Sequence, residues 1–297
     1  MNCNSLNFQA CIGFSKDRRK AFFLKIKVWQ FKRRPDQGKF DYLYRLRNSA
    51  AEMNLKQVAK DILNVLPFSI TKNQRYDKWT IKIMEKVIQP HHNCVDIGCH
   101  EGEFLEKFLQ LAPKGFHHGF EPIPAMFEDL NEKFGGMNCT IYPYALSDNK
   151  GKTTFNYVVS NPAYSGLQKR RYDRPNEIDE KIEVETELLD NVLSENTQID
   201  FMKIDVEGGE FFVLKGAQKI LNRDKPVLIF EHGKGGADCY GVKPGDLFDY
   251  LAENGNYEIF ILNRFLQGKS GLSRGEFIYQ FESGKNYYFV AKSKLNL

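Results

Sequence analysis

Val95-Asp96-Ile97-Gly98-Cys99-His100-Glu101-Gly102 is the stretch on which the reading of this chain turns. It has the form of a buried strand's end, a tight glycine turn and the first turn of a helix. The short, partly apolar run 92–97 leads into it. Beyond it, residues 102–112 place Phe104, Leu105, Phe108 and Leu109 on one helical face before Pro113 ends the run. Glycines at a strand-to-helix turn let the backbone approach a ligand closely. About two dozen residues later a second strand, 116–120, ends in Glu121, at the spacing of a carboxylate that grips ribose hydroxyls. The two together predict a bound nucleoside, against the alternative of an ordinary tight turn.

The spelling of the turn narrows the ligand. A dinucleotide turn reads G-x-G-x-x-G, whereas this one reads D-x-G-x-x-x-G, with Asp96 in place of the first glycine. A carboxylate there sits badly against a pyrophosphate and well beside an ammonium group, such as the one on the amino-acid end of S-adenosylmethionine. The carboxylate of that same end would face the positive pole of the helix opening near Gly102.

Composition sets the outer bounds. The 297 residues, 42% hydrophobic, suffice for one sizeable core and a small added region, and a 27% charged fraction argues against wholesale disorder. No apolar run is long enough to span a bilayer and the first residues lack a secretory layout, so the expected location is cytoplasmic. The six cysteines show no C-x-x-C pair, which argues for reduced thiols and against a zinc module; Cys94 and Cys99 read as small core residues.

Charge is unevenly spread. Residues 1–90 carry 19 Lys and Arg against 7 Asp and Glu, a formal +12, which leaves −8 on the rest. Within this segment, basic residues from Lys16 to Arg34 alternate with Phe22, Phe23, Trp29 and Phe31, a mix suited to an anionic membrane surface or nucleic acid. A solvated amphipathic arm or a homodimer contact is the plainer reading. Helical spacing over 43–66 and over 76–87, the latter with Trp79, Ile83 and Val87 on one stripe, predicts an N-terminal helical cap. The expected division is therefore a basic, mainly helical extension over 1–90 and a catalytic α/β domain over 91–297.

After Glu121 the alternation continues: a helix over 124–134 and a third strand over 140–144. Leu146 and Ser147 would emerge at the ligand end of that strand to close over an adenine edge. An exposed strand follows over 153–159, then a long irregular stretch, 160–175, with Lys169, Arg170, Arg171 and Arg174, the composition of a lid over an acidic substrate or of a plain surface loop. The strongest chemical stretch is Lys203-Ile204-Asp205-Val206-Glu207-Gly208-Gly209-Glu210, a strand end and turn before a helix expected over 210–221. Charged Lys203 and Asp205 inside an apolar strand are costly without partners. A fifth strand, 226–231, ends in Glu231-His232, and sixth and last strands are expected over 257–262 and 287–291. Carboxyl ends of neighbouring strands in a doubly wound sheet share one crevice, so Asp205, Glu231 and His232 would meet there.

These residues, in this order, resemble the FkbM family of S-adenosylmethionine-dependent methyltransferases over about residues 91–262 and the closing strand. The most specific part is Lys203-Ile204-Asp205-Val206-Glu207-Gly208 with Glu210. The resemblance implies a Rossmann-like class I methyltransferase sheet of seven strands, the last antiparallel, acting on hydroxyls of sugars, glycans or natural products. Asp96, Gly98 and Gly102 would hold the methionine end, Glu121 the ribose, and Leu146 with Ser147 the adenine. Asp205 and Glu207 would lie by the reacting centre. Cys99-His100 departs from the family's small-residue wording, and residues 1–90 and 263–286 have no assigned counterpart.

Methylating an alcohol requires alignment with the sulfonium and removal of the hydroxyl proton. Asp205 or His232 would be the base, with Glu231 orienting the imidazole; a magnesium ion held by Asp205 and Glu231 is the alternative, although no ligand spacing assigns a metal. Two other classes stay open: a nicotinamide oxidoreductase on a similar sheet, and a nucleic-acid or membrane-binding module using the basic arm, with peripheral contact at the inner membrane face.

Overall fold

The computed structural model describes residues 71–172 and 176–296. The basic arm, the helix expected over 43–66 and Arg174 lie outside the described residues. In chain order the first strands are β1 (Cys94–Ile97), β2 (His117–Phe120), β3 (Cys139–Tyr142), β4 (Tyr144–Leu146), β5 (Gly151–Val158) and β6 (Asp179–Glu187). They are followed by β7 (Phe201–Ile204), β8 (Val227–Glu231), β9 (Tyr257–Ile261) and β10 (Tyr288–Ser293). Seven of them form one sheet in the order β3-β2-β1-β7-β8-β10-β9. β10 runs antiparallel to both its neighbours, and the other pairings within this sheet are parallel. The expected doubly wound sheet of seven strands, last one antiparallel, is the architecture found.

Helices cover both faces, which is why β1, β2 and β7 are each buried along all four residues. α1 (Lys72–Val87), α2 (Glu103–Leu111) and α3 (Pro124–Phe134) pack on one face against Cys94, Phe201, Ile229 and Val290. On the other face lie α4 (Leu189–Val192), α5 (Glu210–Lys215), α6 (Gln218–Arg223) and α7 (Pro244–Glu253), against Val95, Met202, Leu228 and Phe289. α8 (Leu262–Leu266) joins the first face, and α9 (Arg274–Ser283) the second through Phe277.

Three local expectations change. α1 starts a turn earlier than residue 76, because Thr71 and Gln74 form a reciprocal capping box. Its buried residues are Tyr76, Thr80, Ile83 and Met84, with Trp79 and Val87 of the expected stripe packed partly buried against the same core, and it belongs to the same compact unit as the sheet. The strand expected over 140–144 divides at Pro143, which has no N–H to continue the ladder. Its second part, β4, joins a separate three-stranded sheet in the order β4-β6-β5. The helix expected over 210–221 breaks at Gly216-Ala217, where a Cβ on Gly216 would stand 2.1 Å from the Ser147 carbonyl oxygen. Among the described residues no helix is long and apolar enough to cross a membrane.

Candidate functional site

A cleft opens where the carboxyl ends of β1, β2 and β7 meet the small sheet, lined by Gly98, Glu121, Leu146, Lys203, Asp205 and Glu207 among others. The turn after β1 is shaped by Gly98, at φ +81°, whose Cβ would collide with the Asp205 carbonyl oxygen at 2.0 Å. Only a residue without a side chain lets these two strand ends come so close. Gly102 serves packing instead, since at φ +75° it abuts the Phe134 and Leu130 side chains of α3 and is absent from the cleft wall.

Glu121 follows β2 directly and is 4% exposed, its carboxylate accepting the backbone N–H of His100 on one oxygen and of Ile123 on the other, each at 3.0 Å. Burial pushes its pKa up to about 7, against the pull of those two N–H groups. Around it, Phe120, Ile123, Ala145, Leu146 and Phe155 give the cleft an apolar wall. Ser147 stands behind Leu146, outside that wall, and its hydroxyl meets Asp148 Oδ1 at 3.5 Å.

Strand alternation puts the polar groups of adjacent strands on one face. Asp96 pairs in register with Lys203, and Glu231 with Tyr288. Lys203 Nζ lies 3.5 Å from Asp96 Oδ1 and 3.4 Å from Asp205 Oδ2, with the Phe104 ring centroid 4.8 Å away. Burial opposes the Lys203 charge, yet Asp205 and Asp96 outweigh it and its pKa is raised. Asp96 is fully buried, off the cleft wall, with neither carboxylate oxygen hydrogen-bonded; burial, eased by Lys203, raises its pKa to about 6. The Tyr288 hydroxyl donates to Asp205 Oδ2, a contact no motif in the sequence signalled. Both anchors of Asp205 are on one oxygen.

The turn after β7 is held from within. Glu210, 0% exposed, accepts the backbone N–H of Val206 at 3.2 Å and of Gly208 at 3.0 Å, so its place at the start of α5 is structural. Glu207 adopts a left-handed φ of +58° and pairs with Arg170, whose guanidinium carbon lies 4.8 Å from the Tyr164 ring centroid. Gln168 N–H donates to Tyr240 Oη at 3.1 Å, and Arg171 N–H to the Gly235 carbonyl at 3.3 Å. With Lys169 on Asp179 at 2.8 Å and Arg170 on Glu207, two of the basic groups expected to receive an acidic substrate already hold carboxylates. Asp205, Glu207 and Glu231 each offer an oxygen within 4.8 Å of the others, a spacing open to a cation. Burial first, then Asp205 and Glu210, raise the Glu231 pKa well above the usual carboxylate range.

His232 is not brought to this group. One residue beyond Glu231, it points to the opposite face, where its ring is 5.8 Å from Phe277 and 4.9 Å from Phe281. It is 1% exposed, neither ring nitrogen is hydrogen-bonded, and burial lowers its pKa to about 4. No hydrogen bond joins it to Glu231, so the expected pairing of the two is replaced by aromatic packing; the period of two that aligned Asp205 with Glu231 excludes their neighbour.

A family model for the methyltransferase FkbM domain matches residues 96–259. The 2-O-methyltransferase NoeI of Sinorhizobium fredii (strain NBRC 101917 / NGR234) is 27% identical over 173 residues, which cover 52% of this chain and 68% of that protein. Among solved structures, methyltransferase FkbM from Methylobacillus flagellatus KT gives a TM-score of 0.42 at 15% identity, covering 71% of this chain and 50% of that one. This chain thus spans half the length of that relative. SMU.1697c from Streptococcus mutans, a putative methyltransferase in complex with SAH, gives a TM-score of 0.38 at 10% identity over 73% of this chain and 97% of that one.

Proposed function

The chain belongs to the FkbM methyltransferase family, and from that membership we propose that it moves a methyl group from S-adenosylmethionine to a hydroxyl of a sugar, glycan or natural product. The observation that carries the reading is the cleft at the ends of β1, β2 and β7, which is lined by the buried Glu121 and by Lys203 and Asp205 of the Asp96–Lys203–Asp205 row. The residues fit a nucleoside bearing an amino acid. Glu121 keeps unshared lone pairs for a ribose diol, Phe120, Ile123 and Leu146 offer an apolar slot for adenine, and Lys203 beside Asp205 brings charge of both signs to the wall for the amino-acid end.

When bound, S-adenosylmethionine supplies an electrophilic methyl on a sulfonium leaving group. The chain's own part is to orient and to take a proton. Lys203 and Tyr288 fix Asp205 through Oδ2, leaving Oδ1 to accept the acceptor's hydroxyl proton. Orientation of this kind contributes roughly 7–11 kcal/mol in favourable cases. Glu207, held by Arg170, and Glu231 border the same region and accept hydrogen bonds from a polyhydroxylated acceptor. The activity that gives NoeI its name, 2-O-methyl transfer, supports oxygen as the receiving atom.

Calorimetric titration with S-adenosylhomocysteine is the first test: the wild type binds, and no detectable heat at any concentration sinks the reading. Asp205→Asn is expected to bind that product as the wild type does while labelled methyl transfer to a panel of neutral glycosides falls by about 10²-fold or more; transfer at the wild-type rate would remove Asp205 from the mechanism. A second reading gives Asp205, Glu207 and Glu231 to a divalent cation, favoured by their spacing. Under the first reading dialysis against EDTA leaves transfer unchanged, whereas loss restored by Mg2+ would favour the second.

A further inference from the structure

We propose that Lys203 receives the carboxylate on the methionine end of the donor, and so selects the donor's intact amino-acid moiety. The inference rests on the cofactor reading above and deepens it. A carboxylate entering a poorly hydrated cleft is strongly disfavoured unless a cation or several N–H donors meet it. Among the described residues lining the cleft, the acids are Glu101, Glu103, Glu121, Asp205 and Glu207, and the one lysine or arginine is Lys203.

The other site that the sequence offers for this carboxylate, the amino end of α2, is poorly placed to take it. Glu103 and Glu106 occupy its first turn, and Glu101 precedes it, so acidic side chains offset the positive pole. Lys203, by contrast, has capacity to spare. Its two contacts, at 3.5 and 3.4 Å, are longer than the 2.7–2.9 Å typical of a charge-assisted hydrogen bond, and an ammonium carries three N–H donors. It is 3% exposed and is among the residues that line the cleft. On the cleft wall Lys203 therefore stands as an ammonium among carboxylates, the charge that a carboxylate on the donor's amino-acid end requires.

The test is calorimetry on the full chain with two probes: S-adenosylhomocysteine, and its decarboxylated analogue, which keeps the adenosine, thioether and amine. The wild type is expected to bind the first about 10- to 100-fold more tightly than the second; equal affinities overturn the proposal with no variant needed. In Lys203→Met the preference collapses because S-adenosylhomocysteine weakens while the decarboxylated probe, which has no carboxylate to lose a partner and keeps its amine, does not weaken. Equal weakening of both probes in Lys203→Met gives Lys203 a purely structural role and also overturns the proposal. Failure of the wild type to bind either probe sinks the cofactor reading itself, an outcome distinct from lost discrimination.

Discussion

Glu121 shows how a single carboxylate ties fold and ligand together. Burial lifts its pKa to about 7, against the pull of the N–H groups of Ile123 and His100 and of the Lys203 charge. Below about pH 7 the native protein without ligand therefore favours the protonated form. The stability this contributes is complete below the ordinary carboxylate range and is lost as the pH rises through about 7. Ribose hydroxyls donate to the ionised form, so S-adenosylhomocysteine affinity should rise between about pH 5 and about pH 8. In Glu121→Gln the dependence should flatten and affinity at pH 8 should fall about tenfold or more; a Glu121→Gln profile that keeps the wild-type slope would assign the titration elsewhere. At the same scale, Asp205 and Lys203 are visible in the sequence as charges misplaced in an apolar strand. Tyr288, the donor that fixes Asp205, is not, because its partner lies 83 positions away and no local pattern encodes that contact.

Elements are legible where their signals are local. β1, α2, β2 and α3 fall where glycine turns, apolar spacing and Pro124 put them. Two elements outside the expected set also carry local signals: β6, where Ile182, Val184 and Thr186 alternate with glutamates, and α9, announced by the Ser273–Glu276 capping box. The break between α5 and α6 is different in kind, since Gly216 has no unusual neighbours in sequence and is required only because the Ser147 carbonyl packs against it. Replacing Thr71 by Ala should cost about 1 kcal/mol in urea unfolding, through loss of the α1 cap. Gly208→Ala should cost more, because its Cβ would stand 2.3 Å from the Gly236 carbonyl carbon at φ +109°. A Gly208→Ala unfolding midpoint equal to the wild type's would mean that the turns after β7 and β8 are not locked together.

At the scale of the whole molecule, the site belongs to no single element. β1, β2, β7, β8 and β10 each bring one or two polar groups to the same sheet edge, so ligand binding should stabilise the native state as a unit. Saturation at about a hundred times the dissociation constant adds about 2.7 kcal/mol, which for a domain of this size raises Tm by roughly 5–10 °C. S-adenosylhomocysteine should give a shift of that order, and Lys203→Met a smaller one at the same concentration; an unmoved wild-type Tm would contradict binding in the cleft.

By itself the amino-acid sequence determined the sheet's class, its two glycine turns and the acids at its strand ends, because strand period, helix period and turn chemistry are written in neighbouring residues. Only the tertiary structure decided which of those acids share a cleft and which face away. It separated His232 from Glu231, moved Asp96 behind Lys203, gave Arg170 to Glu207 and brought Tyr288 to Asp205. The physical reason is that function here depends on side chains from distant strands converging at one edge. Strand order and register set that convergence, and both are fixed by packing of the whole chain.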